Sequence, residues 1–324
     1  MRDRIRHSCI YRSSNLKSKE GMPNFADQLV DAVSRKMTPV VVGLDPRVEQ
    51  LPPAFQPRDR SPETVAEHLR EFCVNVIDIV CERVAIVKPN AAFFEAWGVA
   101  GMQALVDVNR HAKSRGLLVL LDAKRGDIGS TAEAYAQAFL QQGNPWSSDA
   151  LTVSPFLGND TLEPLVRTAQ ENSTGLFVLV KTSNLGSADY QSAQFENRSN
   201  SERIAAWLES RCLDTLGEMG FGICGAVVGA TYPQDLVSLR SIMPHAIFLI
   251  PGVGAQGARI SEIGGAFDSR GLGALVNSSR GIIFAHTIKS FSHLNWERAV
   301  ESAMTQLIDE LADVTPVGKL RSSN

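Results

Sequence analysis

Leu117–Thr131 reads LLVLLDAKRGDIGST, five apolar residues that end in Asp122, Lys124, Arg125 and Asp127 before a glycine and a serine. An unbroken apolar run of this length is the pattern of a strand buried on both faces, as in parallel sheet. The same pattern recurs along the chain. Val40–Leu44 runs into Asp45, Val84–Val87 into Lys88, Ala150–Val153 into Ser154 and Leu176–Val180 into Lys181. Ala226–Val228 then meets Gly229, Ala246–Ile250 meets Pro251 and Gly252, and Ala274–Val276 meets Asn277. Eight such strands separated by helix-length segments predict an α/β fold, a single-domain (β/α)8 TIM barrel. In that architecture the polar residues at the C-terminal strand ends share one mouth, where catalytic groups sit.

The 324 residues suit one barrel of about 250 residues with extensions. The alternation never pauses where two domains of about 150 residues would meet. A formal net charge of -3 disfavours non-specific nucleic-acid binding, so an anionic ligand has to be held by local cations. Five cysteines (Cys9, Cys73, Cys81, Cys212 and Cys224), odd in number and without a C-x-x-C pair, read as reduced thiols and hence a cytoplasmic protein. No apolar run approaches the roughly 18 residues of a membrane span. The start of the chain differs: Arg2, Arg4, Arg6, Arg12, Lys17 and Lys19 sit among serines with no apolar core, which argues against a secretory signal. The expected organisation is a basic, disordered or loosely attached extension over 1–22, a barrel catalytic domain over 23–315 and a C-terminal tail over 316–324. A start codon called too early, with Met22 opening the folded part, would explain the extension equally well.

Helix ends are marked. Ser61 before Pro62 and Glu63 supplies an N-cap, a proline at the first position and an acidic first turn. That helix is expected to run to about Arg83, with Val65, Leu69, Phe72, Val76 and Ile79 at helical spacing. Two more are expected over 95–115 and 130–142, stopping at Gly116 and Gly143. The rest fall near 159–171, 201–219, 232–242, 256–263 and 289–313. Residues 186–201 are polar and long for a βα connection, either a mobile lid or a surface insertion.

The charges after the third strand carry the chemistry. Residues two apart on a strand share a face, so Asp122 and Lys124 would both project into the mouth, with Asp127 following on the loop. Lys88 from the neighbouring strand adds a second cation and Asp45 a further acid. Alternating charges within about 4–6 Å of one another favour their ionised forms. A structural ion-pair network at a strand end is the plainer reading, but Asp45 and Lys88 on adjacent strand ends favour a functional one.

A second cluster suits a phosphate. AIFLIPGVGAQG (Ala246–Gly257) and NSSRG (Asn277–Gly281) follow strands seven and eight, where such barrels often bind phosphate. Glycines admit backbone N–H groups to an oxyanion, and Arg280 offers a planar fork of donors. Gly252, Gly254 and Gly257 also spell a dinucleotide fingerprint, but a ribose-gripping acid is wanted after the next strand, and Asn277 stands there. The six histidines show no metal-ligand spacing, and no G-x-S-x-G elbow occurs. Lys181 could form a Schiff base or serve electrostatically, and nothing nearby in the sequence decides.

At DAKRGDIGST the chain resembles the orotidine 5′-phosphate decarboxylase family, in its longer bacterial branch often called type 2. The resemblance runs through GLDPR (Gly43–Arg47), VKPN (Val87–Asn90), SPFLG (Ser154–Gly158), VKTSN (Val180–Asn184), VGAT (Val228–Thr231), PGVGAQG (Pro251–Gly257) and NSSRGI (Asn277–Ile282). It covers about residues 23 to 310. It implies a lyase of pyrimidine (UMP) biosynthesis that needs no cofactor and no metal. Asp122 would face the substrate carboxylate and Lys124 would protonate C6, with Lys88 and Asp127 completing an alternating tetrad. Asp127 and Thr131 would reach the partner's site of a homodimer. Asp45 and Lys88 would contact the ribose, and Ser183 the pyrimidine. Gln256 and Arg280 would bind phosphate, with Gly254 and Gly257 of the same loop and Ser154 as further substrate-binding positions.

Two other functions compete. A magnesium-dependent sugar-phosphate lyase or decarboxylase on the same barrel also uses D-x-K-x-x-D, but Lys88 stands where a metal site would prefer a carboxylate. A non-catalytic phosphate-ligand binding protein would keep Arg280 and the glycine loop without needing Asp122 and Lys124.

Overall fold

Each apolar run folds as a strand of one parallel barrel. In this computed structural model, which describes residues 24–231, 233–253 and 259–322, the strands are β1 (Val40–Leu44), β2 (Ile86–Pro89), β3 (Leu118–Arg125) and β4 (Ala150–Val153). β5 (Gly175–Lys181), β6 (Cys224–Val228), β7 (Phe248–Pro251) and β8 (Ala274–Ser278) follow. They close in the order β1-β8-β7-β6-β5-β4-β3-β2, and every pair is parallel. The polar ends are part of the strands: Lys88 pairs in register with Gly43, and β3 carries both Asp122 and Lys124. Closure leaves no sheet edge, and a ring of helices buries the outer face.

The longer helices are α1 (Phe25–Lys36), α2 (Pro62–Val80), α3 (Gly98–Ser114), α4 (Gly129–Leu140), α5 (Glu163–Asn172), α6 (Asn200–Asp214), α7 (Pro233–Ile242) and α8 (Trp296–Val314). Ser61 caps α2 as expected, its Oγ accepting from the Thr64 N–H. Gly116 takes the left-handed conformation after α3, whereas α4 ends at Leu140, before Gly143, with an extended Gln141. α8 begins seven residues later than expected because Asn295 caps it, accepting from the Arg298 N–H at 3.0 Å. Of the helix expected over 256–263, residues 256–258 lie outside the described residues, and the described part carries a 3-10 stretch, Ile260–Ala266. Residues 316–322, expected as a tail, form two helical turns that bury Val317.

α1, which lies outside the helices that periodicity predicts, closes the bottom of the barrel. Asn24 caps it, and Phe25, Leu29, Val30 and Val33 form its buried stripe. Asp27 accepts from the backbone N–H groups of Glu218 and Met219 at 3.0 and 2.8 Å, tying α1 to the approach to β6. The Phe25 ring lies edge-on to Phe177 at 6.4 Å, over Gly175 at the start of β5. Cys73, Cys81, Cys212 and Cys224 are buried free thiols. Burial pushes the Cys224 thiol up to about 12, so it behaves as a core residue. Among the described residues no helix is long and apolar enough to cross a membrane.

A Cβ on Gly175 would stand 2.1 Å from the Phe25 ring. Gly175→Ala is therefore expected to destabilise the protein by about 1–3 kcal/mol through overpacking, measured by urea denaturation. Relief by Phe25→Leu in the same background would identify the ring as the cause.

Candidate active site

β3 does not keep regular alternation to its end. Leu121 pairs with Leu151 and Arg125 with Val153, so two extra residues are accommodated on the β3 side. Lys124 takes a left-handed conformation, φ 51°, which an L-residue with a long side chain adopts only when its surroundings over-determine it. Thr152, the single polar residue of β4, does that. Its Oγ1 accepts from the N–H groups of Ala123 at 3.0 Å and Lys124 at 2.9 Å and donates to Asp122 Oδ1 at 3.1 Å. Asp122 and Lys124 therefore meet through a threonine-pinned bulge, not through the simple two-residue repeat.

At the centre lies the Asp122 carboxylate. Lys88 Nζ donates to its Oδ2 at 2.6 Å, and Lys124 Nζ donates to its Oδ1. The side chains of Lys88 and Asp122 are only 5% and 11% exposed, whereas Lys124 is 49% exposed, reaching from the open mouth. Burial pushes the Asp122 carboxyl up, but Lys88 and Lys124 outweigh it and hold the group well below the usual carboxylate range. Burial likewise pulls Lys88 down, yet Asp122 and Asp45 together leave it above the ordinary lysine value.

Lys88 and Asp122 open into a cavity of about 230 Å³ that is also lined by Asp45, Arg47, Gly252, Asn277, Ser279 and Arg280. The β1 and β8 ends come together because residue 43 is glycine: a Cβ there would stand 1.8 Å from Ser279 Oγ. Asp45 Oδ1 and Asn277 Oδ1 are buried and have no hydrogen-bond partner among the described residues. Buried polar atoms in a cavity wall without protein partners suit a ligand rich in hydroxyl donors.

The structure thus gathers Asp45, Lys88, Asp122, Lys124 and Arg280. Asp127 does not join the other three charges within one chain: its Oδ1 accepts from the neighbouring Ile128 N–H at 2.8 Å. Thr131 lies on a separate groove between α3 and α4. Ser154 Oγ accepts from the Phe156 N–H at 3.5 Å in a local turn, outside the cavity lining. Ser183 follows β5 and packs against Gly229. Gly254, Gln256 and Gly257 lie outside the described residues. Lys181 is held by Ser192, with Nζ donating to Oγ at 2.8 Å, and by Asp235 at 3.6 Å, an arrangement that suits a structural role better than a Schiff base. Two site residues carry no role in the sequence pattern. Arg47 sits two positions after Asp45 in GLDPR, and Thr152 is legible only as a lone hydroxyl in an apolar strand.

Among the described residues no group of three or more His, Cys, Asp or Glu is arranged to hold a metal ion. Asp122, the carboxylate a dication would need, is already shared by two ammonium groups. The depressed Asp122 pKa contributes stability that is complete above about 3.9 and is lost as pH falls toward the folded value. The raised Lys88 pKa contributes stability that is complete below about 10.4 and is lost as pH rises through the folded value. Asp122→Asn should leave only Asp45 to oppose the burial of Lys88, so the Lys88 pKa should fall. A pH titration of the lysine Nζ signals by NMR measures this, and an unmoved Lys88 would contradict the coupling described here.

Comparison with known proteins places this geometry in a family. The family model described as Orotidine 5'-phosphate decarboxylase / HUMPS family matches residues 38–290. An orotidine 5′-phosphate decarboxylase of Rhodopirellula baltica is 46% identical over 300 residues, spanning 90% of this chain and 99% of its own. One from Deinococcus radiodurans is 44% identical over 265 residues, spanning 81% of this chain and 90% of its own. Among solved structures, Leishmania donovani OMP decarboxylase superposes with a TM-score of 0.69 at 32% identity, covering 93% of this chain and 100% of the other. A charge array at the mouth of a closed barrel, and relatives matched over nearly their whole length, lead to one assignment: this chain belongs to the orotidine 5′-phosphate decarboxylase family.

Proposed function

We propose that this protein decarboxylates orotidine 5′-phosphate to UMP and CO₂, a step of pyrimidine biosynthesis in the cytoplasm, without a cofactor. The observation that carries the reading is the Lys88–Asp122–Lys124 array, one buried carboxylate bonded by two ammonium groups, with Lys88 and Asp122 in the cavity wall. Breaking the C6–CO₂ bond leaves its electron pair in the plane of the pyrimidine ring, where the ring's π-system does not take it up. A fixed cation next to C6 stabilises that charge, and the same ammonium can deliver the proton. Lys124 suits the task because it is the more exposed of the two lysines while remaining bonded to Asp122. It gives its proton to C6, leaves as the neutral amine and is reprotonated from solvent.

Asp122 would face the departing carboxylate. An ordinary carboxyl would take up a proton when a second carboxylate approached. Asp122 is held ionised by its two lysines, so the repulsion persists until CO₂ leaves. Ground-state destabilisation is a contested framing, whereas electrostatic stabilisation of developing charge is usually the largest single contribution, so Lys124 is given the larger share. One charge pair at 4 Å is worth only about 4 kcal/mol at an effective dielectric of 20. Enzymes lower barriers by about 8–23 kcal/mol. Binding energy from remote groups has to supply the difference. Arg280 and Asp45 in the cavity wall suit the phosphate and the ribose, and Ser154, Ser183, Gly254, Gln256 and Gly257 complete the substrate contacts in this reading.

The reading includes a homodimer with shared sites. Support comes from Asp127, which forms no ion pair with a cation of its own chain among the described residues. Next to it Ile128 is 62% exposed. Thr131 borders a groove of about 680 Å³ lined largely by apolar side chains, among them Val99, Met102, Tyr135 and Trp146. An apolar patch of this kind suits burial against another chain. The same reading takes residues 1–22 as a basic extension before a catalytic barrel over 23–315.

Purified protein is expected to convert orotidine 5′-phosphate to UMP in excess chelator, followed by absorbance. Lys124→Ala should lose several orders of magnitude in kcat while retaining UMP binding, and near-normal turnover would remove Lys124 as proton donor. Mixing inactive Asp127→Ala and Lys124→Ala proteins should restore partial activity, because hybrid dimers carry one site with neither lesion. Verified subunit exchange without recovered activity would count against sites shared between chains.

A further inference from the structure

The proposed reaction leaves unused the excursion over residues 186–201 and the buried Lys181. These two features belong together. The excursion is a short helix, Ser187–Gln191, then a ribbon pairing Gln194–Phe195 with Arg198–Ser199, and it enters α6 through a capping box on Ser199 and Glu202. Its side chains grip the end of β5. The Thr182 N–H donates to Gln191 Oε1 at 2.8 Å, and Gln191 Nε2 donates back to Thr182 Oγ1 at 2.8 Å. Lys181 Nζ reaches Ser192 Oγ, and Ser201 Oγ donates to the Val180 carbonyl at 2.7 Å. Three consecutive residues of the strand end are therefore bonded to the excursion.

The opposite side of the same strand end is equally confined. The Gly229 N–H donates to the Lys181 carbonyl at 2.7 Å, and a Cβ at 229 would stand 3.0 Å from the Ser183 nitrogen. Ser183 is thus set between β6 on one side and a peptide plane clamped by Gln191 on the other. In this conformation the contacts fix the peptide that precedes Ser183 from both sides. A reciprocal pair of hydrogen bonds on one residue fixes both its position and its rotation, which a single bond does not.

We propose that residues 186–201 brace the end of β5, with Gln191 as the positioning residue that holds Ser183 at the barrel mouth. The inference rests on the reading in which Ser183 hydrogen-bonds the pyrimidine. It adds that the reach of this hydroxyl is set from outside the barrel, by a side chain that touches no substrate. Active-site groups have to be held to within about 0.5 Å, and a misplacement of about 1 Å can cost on the order of 100-fold in rate.

A double-mutant cycle between Gln191 and Ser183 tests the brace, with kcat/KM for orotidine 5′-phosphate as the readout and thermal melts to verify folding. Gln191→Ala alone should lower kcat/KM by roughly 10-fold or more. In a Ser183→Ala background the same change should cost less than about twofold, because coupled residues are not additive. Gln191→Glu, which keeps the acceptor for the Thr182 N–H, should recover part of the loss. Equal losses in both backgrounds, or none from Gln191→Ala, would overturn the brace while leaving Ser183 in place. Undiminished kcat/KM in Ser183→Ala alone would instead overturn the reading of Ser183 and the brace with it. Should Gln191→Ala not fold, Ser192→Ala, which takes the Ser192 acceptor from Lys181, enters the same cycle in its place. A loss that vanishes in the Ser183→Ala background then supports the brace, and one that persists there overturns it.

Discussion

A carboxylate buried at the end of β3 and bonded on both oxygens by lysine ammonium groups sets the terms for the rest of this molecule. Taking such charges out of water is costly, and a buried ion pair is on balance weak support for stability. Asp122, Lys88 and Lys124 are tolerated because each satisfies the others, and because Asp45 adds a second negative charge beside Lys88. The opposing charges hold Asp122 and Lys88 ionised. That is the state a reaction needs if a cation must stand ready beside a developing anion and an anion beside a departing one.

Geometry follows from the same requirement. Lys124 reaches Asp122 only because the backbone leaves the regular strand conformation, and Thr152 compensates for that departure by taking both freed N–H groups. The strain sits at the site and the compensation one strand away, as is usual where function is built into a strand end. At the other pole of the barrel the chain does the reverse. Phe25 packs over Gly175 and beside Phe177, and α1 seals the lower opening with apolar contacts and an N-cap. That end is closed largely by apolar packing, whereas the Lys88–Asp122–Lys124 array stands at the other.

Much of this is legible in the residues alone. Apolar runs at regular spacing, each ending in a polar residue, describe the barrel. The residues after them name the cavity wall, because a parallel barrel brings all its C-terminal strand ends to one face. Local pattern misleads where tertiary contact diverges from it. The boundaries of α8 and α4 move, since the Asn295 cap starts α8 late and an extended Gln141 ends α4 early. α1 escapes the pattern, although Asn24 and its apolar stripe are present in the sequence. Thr152 gives only the faint signal of a hydroxyl in a buried strand. The Gln191 clamp on Thr182 gives none, because the chain between them has to fold back to make it.

By itself the sequence determined the architecture and the inventory of charges: apolar runs long enough to be buried on both faces call for a parallel sheet, and the polar strand ends name its mouth. The tertiary structure decided which of those charges meet. Whether Asp127 joins Lys88, Asp122 and Lys124 depends on the path of the chain beyond β3, and within one chain it turns away to its own backbone. Contacts between residues on different strands arise from closure of the barrel, and no local periodicity encodes the distances that closure produces.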